Sequence, residues 1–426
     1  MGRGLRRDGE KETLPRYSAP CSRQGRRDIT ISTMPILFLI VLIDLIGFGL
    51  VIPLLPFYAE RFQASPQQVT VLLATFSFFQ MLAAPVWGRL SDRVGRRPVL
   101  MASMAAAALA YLWLGFASAL WMLFAARALA GACAGNIAAA QAYIADVTPP
   151  EKRARGMGMI GAAFGLGFII GPALGGVLAG DKLATADLRT PGLLACGLSV
   201  IALLGVVFVL KESLPAGLAP RPRKGRIAAL RDALARRTLA RLLLVFFLAI
   251  LAFGGMESVF ALWAMAQFGW GPEQIGYLFT YIGVLSATMQ GGLIGRLTAR
   301  FGEEKLLVAG LALIALGLLA IPLSHDLAVL VVAVSCLAIG MGAMQPSLNS
   351  LISRRAGAEE QGEVMGVAQS IASLSRVLGP LFAGSLFAGL GRDSPFLVGM
   401  VLVIAAAALG WRLPPAEPAA APRPAE

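Results

Sequence analysis

The chain contains 426 residues, of which 57% are apolar and 14% are charged, and its mean hydropathy is +0.73. A soluble protein usually carries about 25% charged residues, so the composition excludes a water-soluble particle and indicates that lipid surrounds much of the chain. The net charge of +13 would fit a nucleic-acid-binding protein. The positions of the basic residues, given below, indicate membrane topology instead, and we expect no nucleic-acid partner.

Residues 1–33 form a polar, arginine-rich segment. They lack the apolar core of about 7–15 residues that a signal peptide requires, and acidic residues such as Asp8 and Glu10 argue against an organellar transit peptide. The composition predicts a disordered tail. Because Met34 stands directly before the first apolar segment, we also hypothesise that 1–33 is an extended start of the chain, which N-terminal sequencing of the native protein would test.

Apolar segments long enough to cross the hydrocarbon core, roughly 20 residues each, recur along the rest of the chain. The predicted spans are 34–57, 69–90, 98–117, 120–145, 157–180, 191–210, 241–267, 273–295, 305–323, 327–350, 363–388 and 394–411. They fall into bundles at 34–210 and 241–411, with a basic linker at 211–240 and a disordered tail at 412–426. The pattern predicts an all-α polytopic membrane protein with 12 transmembrane helices.

The lysines and arginines outside the spans predict the orientation. With both termini on one side of the membrane, that side collects 31 of them and the opposite side only 4. Because basic residues accumulate on the cytoplasmic side, both termini are expected to be cytoplasmic. We expect the chain to be a multi-pass protein of a bacterial plasma (inner) membrane, surrounded by the lipid bilayer and working as a monomer.

The two bundles also share sequence. The Gly-Arg-Leu sequence that begins at Gly88 recurs at Gly295, and the Gly-Pro pair at Gly171 recurs at Gly379. Such internal repeats are typical of transporters whose two halves rock against each other around a ligand site near the midplane. The sequence therefore predicts two pseudo-symmetric six-helix bundles with a binding site between them.

The loop after the second span reads Gly-Arg-Leu-Ser-Asp-Arg-Val-Gly-Arg-Arg-Pro. It resembles the loop signature of the major facilitator superfamily, and the resemblance extends over about 34–411. It implies that Asp92 meets the start of helix eleven near Glu363 and that Arg96 pairs with Asp146, which would latch the outward-facing state. The residues of this conformational loop motif are Gly88, Asp92, Arg93, Gly95, Arg96, Arg97 and Asp146.

The fifth span carries glycines at a spacing of four residues around one proline. The residues of this group are Gly167, Gly171, Pro172, Gly175 and Gly176. The group resembles the antiporter signature of the same superfamily, and the alternative interpretation is ordinary close packing of helices. In the fourth span, Arg127 and Gly131 resemble a third signature of the superfamily, which is linked to proton transfer.

Four ionisable groups lie inside predicted spans: Asp44, Arg127, Glu257 and Arg376. Each costs at least about 2.5–3.5 kcal/mol at the bilayer centre, so such groups usually face a cavity and mark function. We predict that Asp44 or Glu257 carries the proton and that Arg127 modulates Asp44. Arg376 either modulates Glu257 or binds an anionic substrate. The alternative is a pair of static ion pairs that stabilise the bundle.

Polar residues at helical spacing and a group of aromatic side chains predict the wall of a central cavity. The predicted substrate-cavity residues are Gln141, Phe253, Phe260, Trp263, Gln345, Asn349, Gln369 and Arg376. The aromatic residues share helix seven with Glu257, where they would stack on a lipophilic cation or serve only in packing.

These motifs are similar to those of twelve-helix drug:proton antiporters, including tetracycline and multidrug exporters. Ala110 and Ser286 stand where tetracycline exporters carry an aspartate and a histidine, which leaves the substrate open. We therefore expect export of a lipophilic or amphipathic small molecule in exchange for protons, without a cofactor or a metal. The alternative is a proton-coupled symporter or facilitator for a small metabolite or sugar. A receptor or an enzyme is least expected, since the sequence shows no metal-ligand set, nucleophile triad or phosphate loop.

Overall fold

The computed structural model describes residues 23–148, 153–182, 186–187, 189–214, 226–356 and 360–411. All regular elements in these ranges are helical, and the predicted all-α fold of two six-helix bundles is confirmed. Residues 1–22 of the N-terminal tail predicted at 1–33, and the whole C-terminal tail predicted at 412–426, lie outside the described residues.

The spans lie close to their predicted positions. In chain order they are Met34–Arg61, Pro66–Val94, Arg96–Gly115, Leu120–Val147, Gly158–Ala179, Arg189–Phe208, Arg237–Phe268, Pro272–Phe301, Glu303–Ala320, Leu327–Arg355, Gln361–Leu390 and Ser394–Trp411. Eleven of these helices are long and apolar enough to cross a membrane. Span nine, Glu303–Ala320, has 18 residues and begins with three charged ones, which shortens its apolar part.

Several spans contain a break or an extension. Span one continues a helix that begins at Arg23, so residues 23–33 extend the helix where the sequence predicts a disordered tail. Adding residues to an existing helix is far easier than starting one. Span four consists of two helices, Leu120–Ala132 and Asn136–Val147. Span eight contains a π-helical turn at Met289–Leu293. A separate linker helix, Arg226–Ala235, precedes span seven.

The two halves touch at one end of the bundle. We call the end that holds the loop between spans two and three the loop-motif end, and the opposite one the far end. At the far end, the Glu273 N–H of span eight donates to the Gly180 carbonyl (3.2 Å) and the Thr280 hydroxyl donates to the Ile169 carbonyl (3.1 Å). Span two packs against span eleven where Thr70 contacts the backbone beside Gly384.

Toward the loop-motif end the same spans separate. Gly165 of span five still lies near Ala287 of span eight, but a side-chain carbon on Gly158 or Gly161 would meet no heavy atom within 4 Å. The same is true of Gly88 on span two and Gly366 on span eleven. The bundle is therefore closed at the far end and open at the loop-motif end.

The glycines of span five serve two different interfaces. Gly167, Gly171 and Gly175 follow one helix face and lie against the backbone of span one, within the N-terminal half. Gly176 points another way: a Cβ there would lie 2.9 Å from the Pro272 carbonyl oxygen and 3.0 Å from the Gly276 Cα, both in span eight. One motif thus combines packing inside a half with closure between the halves.

The loop-motif end of each half is braced by an ion pair, and the two pairs have opposite polarity. In the N-terminal half, Arg96 at the start of span three pairs with Asp146 near the end of span four (3.0 Å). In the C-terminal half, Glu303 at the start of span nine pairs with Arg354 at the end of span ten (3.2 Å). The repeat therefore preserves the position of the brace while exchanging acid and base.

The N-terminal brace is the more buried of the two. Side-chain exposure is 9% for Arg96 but 63% for Arg354. Arg96 also donates to Asp92 (2.6 Å) and to the Ser91 hydroxyl (3.0 Å). The expected Arg96–Asp146 contact is thus present in a state that is open at the loop-motif end, where Gly88 and Gly366 have open space beside them.

The start of the linker is tied to the same loop. The Glu212 carboxylate accepts hydrogen bonds from the backbone N–H groups of Arg96 (2.9 Å) and Arg97 (3.1 Å), at the first turn of span three. Gly95, with φ of 114°, leaves the room that this carboxylate occupies, because a side-chain carbon there would collide with it. Partial burial opposes ionisation, but backbone donors at Leu214, Arg96 and Arg97 outweigh it and lower the pKa of Glu212.

The two braces give a first prediction. Asp146→Asn should lower the free energy of unfolding by about 1–3 kcal/mol, because it removes a charged hydrogen bond from a buried guanidinium. Arg354→Gln, the matched change in the other half, should cost only about 0–1 kcal/mol, because the exposed arginine gains little from the pair and Glu303 keeps the hydrogen bond that the Ser350 hydroxyl donates (2.6 Å). Apparent melting temperatures of the purified variants in detergent provide the measurement, and an equal loss in both variants would contradict the burial argument.

Gly176 gives a second prediction. A methyl group there would overlap with the backbone of span eight. The overlap would destabilise only the far-end-closed state, by about 1–3 kcal/mol. Gly176→Ala should therefore shift the population toward the far-end-open state by about 5- to 150-fold. Distances between spin labels at Lys182 and Arg392, one in each half, should lengthen.

Gly161→Ala is the matched control, since it lies on the same helix beside open space. Its label distances should equal those of the parent protein. An unchanged distance distribution in Gly176→Ala would contradict the prediction, because it would show that span eight shifts locally to accommodate the methyl group while the interface stays closed.

Candidate functional site

The interruption of span four positions a buried carboxylate. Asn136 is the first residue of the second half-helix, and its side-chain amide donates to the Asp44 carboxylate of span one. Asp44 is only 6% exposed. The carboxylate thus lies at a helix N-terminus, where the helix dipole favours negative charge. Broken helices with such ends are typical of ligand and ion sites in transporters.

Neighbouring spans satisfy the backbone of the break. The Ser103 hydroxyl of span three donates to the Cys133 carbonyl (2.5 Å) and accepts from the N–H groups of Gly135 and Asn136 (3.1 Å each). The indole N–H of Trp87 in span two donates to the Ala132 carbonyl (2.7 Å). Inside a membrane an unsatisfied backbone group costs several kcal/mol, so these two side chains allow the break to exist.

Arg127 lies one turn before the break and is 4% exposed. Its guanidinium stacks over the Phe76 ring of span two, 4.4 Å from the ring centroid. Gly131, one turn further along span four, makes this possible, because any side chain there would collide with the Phe76 backbone. The arginine–glycine spacing of the motif therefore places the guanidinium on an aromatic face, a cation–π arrangement that offsets part of the cost of burial.

The structure places Arg127 and Asp44 in separate contacts. Asp44 bonds to Asn136, whereas the Nε atom of Arg127 has no hydrogen-bond acceptor among the described residues. No described carboxylate lies within ion-pair distance of Arg127. A static Asp44–Arg127 ion pair is thus absent from this state of the described chain.

The C-terminal half presents a second charged group. Glu257 of span seven and Arg376 of span eleven interact electrostatically, but no contact within 4.0 Å joins them in the described structure. Both side chains are half-buried. Among the described residues the Arg376 guanidinium donates one hydrogen bond, to the Ser373 hydroxyl, and it is long at 3.5 Å. At mid-span these groups thus retain more accessible surface than Asp44 does.

The predicted cavity residues divide into two groups. Gln141, Gln345, Asn349 and Gln369 keep accessible surface in the middle or loop-motif part of their spans, and Phe253 is half-buried. Phe260 (2% exposed) and Trp263 (0% exposed) are fully packed instead.

The environment of Trp263 explains its burial. Its indole N–H donates to the Asp393 carboxylate (2.8 Å), and its ring packs edge-on against Phe268 and Phe396. Phe260 packs against the same indole and against Phe279. The structure therefore assigns these two rings to the core between spans seven, eight and twelve, and not to the cavity wall.

Four residues that contribute to this arrangement are absent from the sequence prediction: Asn136, Ser103, Trp87 and Phe76. The Gly135-Asn136 pair that follows Gly131 is a signal for the helix break, because glycine and asparagine commonly end or begin helices. Ser103, Trp87 and Phe76 carry no such signal, since their role depends on which helices pack against span four.

The comparisons with known proteins agree with this architecture. The family model described as Major Facilitator Superfamily matches residues 37–380 and also 242–426. The tetracycline resistance protein, class C, of Escherichia coli is 35% identical over 356 residues, which cover 82% of this chain and 88% of that protein. Multidrug resistance protein 2 of Bacillus subtilis is 30% identical over 392 residues, 88% of this chain and 94% of that protein.

Solved structures show the same fold. The human organic anion transporter MFSD10 is 28% identical, with a TM-score of 0.69 over 89% of this chain and 99% of that one. An inward-facing bacterial homologue of the lysosomal transporter Spinster has a TM-score of 0.75 over 92% and 97% of the two chains, at 17% identity. The motifs, the fold and these relatives lead to one conclusion: the chain belongs to the Major Facilitator Superfamily and is a transporter, not an enzyme.

Proposed function

We propose that the protein is a proton-coupled antiporter that exports lipophilic or amphipathic small molecules by alternating access. It works as a monomer in a bacterial plasma membrane, with both termini in the cytoplasm. The observation that carries the proposal is the pair of mid-span carboxylates, Asp44 in one half and Glu257 in the other, neither of which forms an ion pair in the described structure. The tetracycline and multidrug resistance relatives support export as the direction.

A carboxylate without a fixed cationic partner is suited to carry a proton. A carboxylic acid holds its proton more tightly in a poorly hydrated site than in water. Rocking of the halves changes the hydration of such a site, so that a proton taken up on one side is released on the other. A static ion pair would oppose this, because the arginine would keep the carboxylate ionised in both states.

The coupling direction follows from charge. A substrate with a positively charged group binds an ionised carboxylate and competes with the proton for it, so the two move in opposite directions. Glu257 suits this role, because it is half-buried and lies on the same span as the half-buried Phe253. The amide residues of spans ten and eleven add hydrogen-bonding groups to a largely apolar wall.

With the proposed topology, the loop-motif end is cytoplasmic and the described state is open to the cytoplasm. An exporter loads its substrate in this state. Closure of that end would bring the loop after span two toward the start of span eleven, where Asp92 would meet the helix N-terminus near Glu363.

The proton carriers give a third prediction. Glu257→Gln and Asp44→Asn should each abolish substrate uptake driven by a pH gradient in inverted vesicles or proteoliposomes, because the neutral amide cannot bind a proton. Substrate counterflow without a gradient requires no proton transfer and should continue in Asp44→Asn. It should weaken in Glu257→Gln, because that change also removes the charge that binds the cationic substrate. A panel of lipophilic cations and tetracycline serves as substrate.

Glu60→Gln is the control for this experiment. It removes a carboxylate from the far-end part of span one, outside the cavity, and should leave coupled transport unchanged. If both Asp44→Asn and Glu257→Gln retain full coupling, other groups carry the proton. If uphill transport by the parent protein survives collapse of the proton gradient, the antiport proposal itself fails.

A second candidate function rests on Arg376. This guanidinium is always charged, keeps accessible surface and has no carboxylate within ion-pair distance in the described structure. Such a group suits an acidic substrate, and a relative of known structure is named an organic anion transporter. Protonation of Glu257 would then favour anion binding at Arg376, so the proton and the anion would move together.

The sign of coupling distinguishes the two functions and is our fourth prediction. Addition of substrate to proteoliposomes under antiport drives protons out of the lumen as substrate enters, so the lumenal pH rises. Under anion symport the lumenal pH falls. Arg376→Gln should leave cation exchange within a few-fold of the parent protein, whereas it should abolish anion uptake.

A further inference from the structure

The linker helix, Arg226–Ala235, packs on the C-terminal half through a narrow face. Ala229 and Ala233 are one turn apart and only 6% and 3% exposed. Just after the helix, Arg236 forms an ion pair with Glu360 (2.6 Å), the residue that precedes span eleven. Small side chains and one ion pair thus attach the helix to the start of span eleven.

A second apolar face of the helix keeps accessible surface in the described structure. Leu230 and Leu234 are also one turn apart, and they remain 37% and 49% exposed. Helical geometry places each leucine about 100° around the axis from the preceding alanine. The leucines therefore form a stripe beside the packed face, whereas Ala228 and Ala235 lie on the opposite side, exposed as well.

The helix lies at the level of lipid headgroups. The apolar residues of span seven begin at Leu239, since Arg241 can extend its charge to the headgroups. Arg236 precedes Leu239 by three residues, which corresponds to about 4.5 Å of helix. The headgroup region on each side of a bilayer is about 5–8 Å thick. Backbone angles at Arg236 leave the helical region, so the linker helix turns away from the axis of span seven.

Charge along the linker sequence is strongly positive. Residues 211–241 contain nine basic and two acidic side chains. Arg231 follows Leu230 directly on the helix surface, and Arg237 lies at the start of span seven; both are exposed. An apolar stripe flanked by arginines is the pattern of a helix that lies in a membrane interface and attracts anionic lipids.

We propose that the linker helix is a binding surface for anionic phospholipid headgroups in the leaflet at the loop-motif end. Leu230 and Leu234 enter the boundary between headgroups and acyl chains, and Arg231 and Arg237 pair with lipid phosphates. The alanine face stays on span eleven. This surface is separate from the transport cavity, and the inference does not depend on the transported substrate.

A site-specific quenching experiment tests the proposal on the full chain. The four native cysteines are replaced, and a fluorophore is attached at Leu234→Cys or at Leu230→Cys. Ala235→Cys, the next residue on the opposite face, is the matched control. Each protein is reconstituted with either brominated phosphatidylglycerol or brominated phosphatidylcholine, since bromine quenches a fluorophore only at short range.

We expect strong quenching at 234 and 230 and little at 235. Brominated phosphatidylglycerol should quench several-fold more than the zwitterionic lipid, and Arg231→Gln should lower this preference about fivefold, the effect of one surface charge. Absence of quenching at 234 and 230 would show that water or protein covers the stripe and would overturn the proposal. Equal quenching by the two lipids, or equal quenching at 234 and 235, would overturn it too.

Discussion

The hydrocarbon core of a membrane contains no water, so every interruption of a helix there needs hydrogen-bond partners from the protein itself. This constraint explains the arrangement of side chains around the interruption of span four in the N-terminal half. Ser103 and Trp87 bind the backbone groups at the interruption of span four, and only because they do so can Asn136 begin a new helix beside Asp44. The buried carboxylate, its amide donor and the break are therefore one arrangement, in which each part requires the others.

Close backbone approach is the second condition, and it determines where the halves meet. The glycine face of span five brings span one near enough to place Asp44 at the break, whereas Gly176 brings span eight near enough to close the far end. One face of span five holds span one, and the adjacent face closes the interface with span eight. When the halves rock, the contact at Gly176 therefore has to break while the contact with span one persists. Ordinary close packing and a role in alternation are thus compatible explanations of the same motif.

The sequence predicted the twelve spans and the internal repeat, because both depend on local apolar length and on residues that recur in order. It also predicted the Arg96–Asp146 pair through a resemblance. It did not predict that Glu303 and Arg354 form the corresponding pair with reversed charge, since the repeat conserves backbone position and not side-chain type. The prediction that the aromatic residues of span seven line the cavity did not account for Trp263 for a similar reason. Helical spacing does not tell whether Trp263 faces a cavity or the ring of Phe396.

The two halves contribute different chemistry to the proposed transport cycle. In the state open at the loop-motif end, Glu257 keeps accessible surface, whereas Asp44 is enclosed at the break of span four. Under the proposed mechanism Glu257 is therefore the group that exchanges protons with that side in this state, and it is also the group that substrate can reach. Asp44 can exchange only if its bond to Asn136 opens, and that requires span one to move relative to the second half of span four. The glycine contacts with span five resist such movement. Proton access to Asp44 therefore requires a rearrangement inside the N-terminal half, while proton access to Glu257 depends on the cavity already being open.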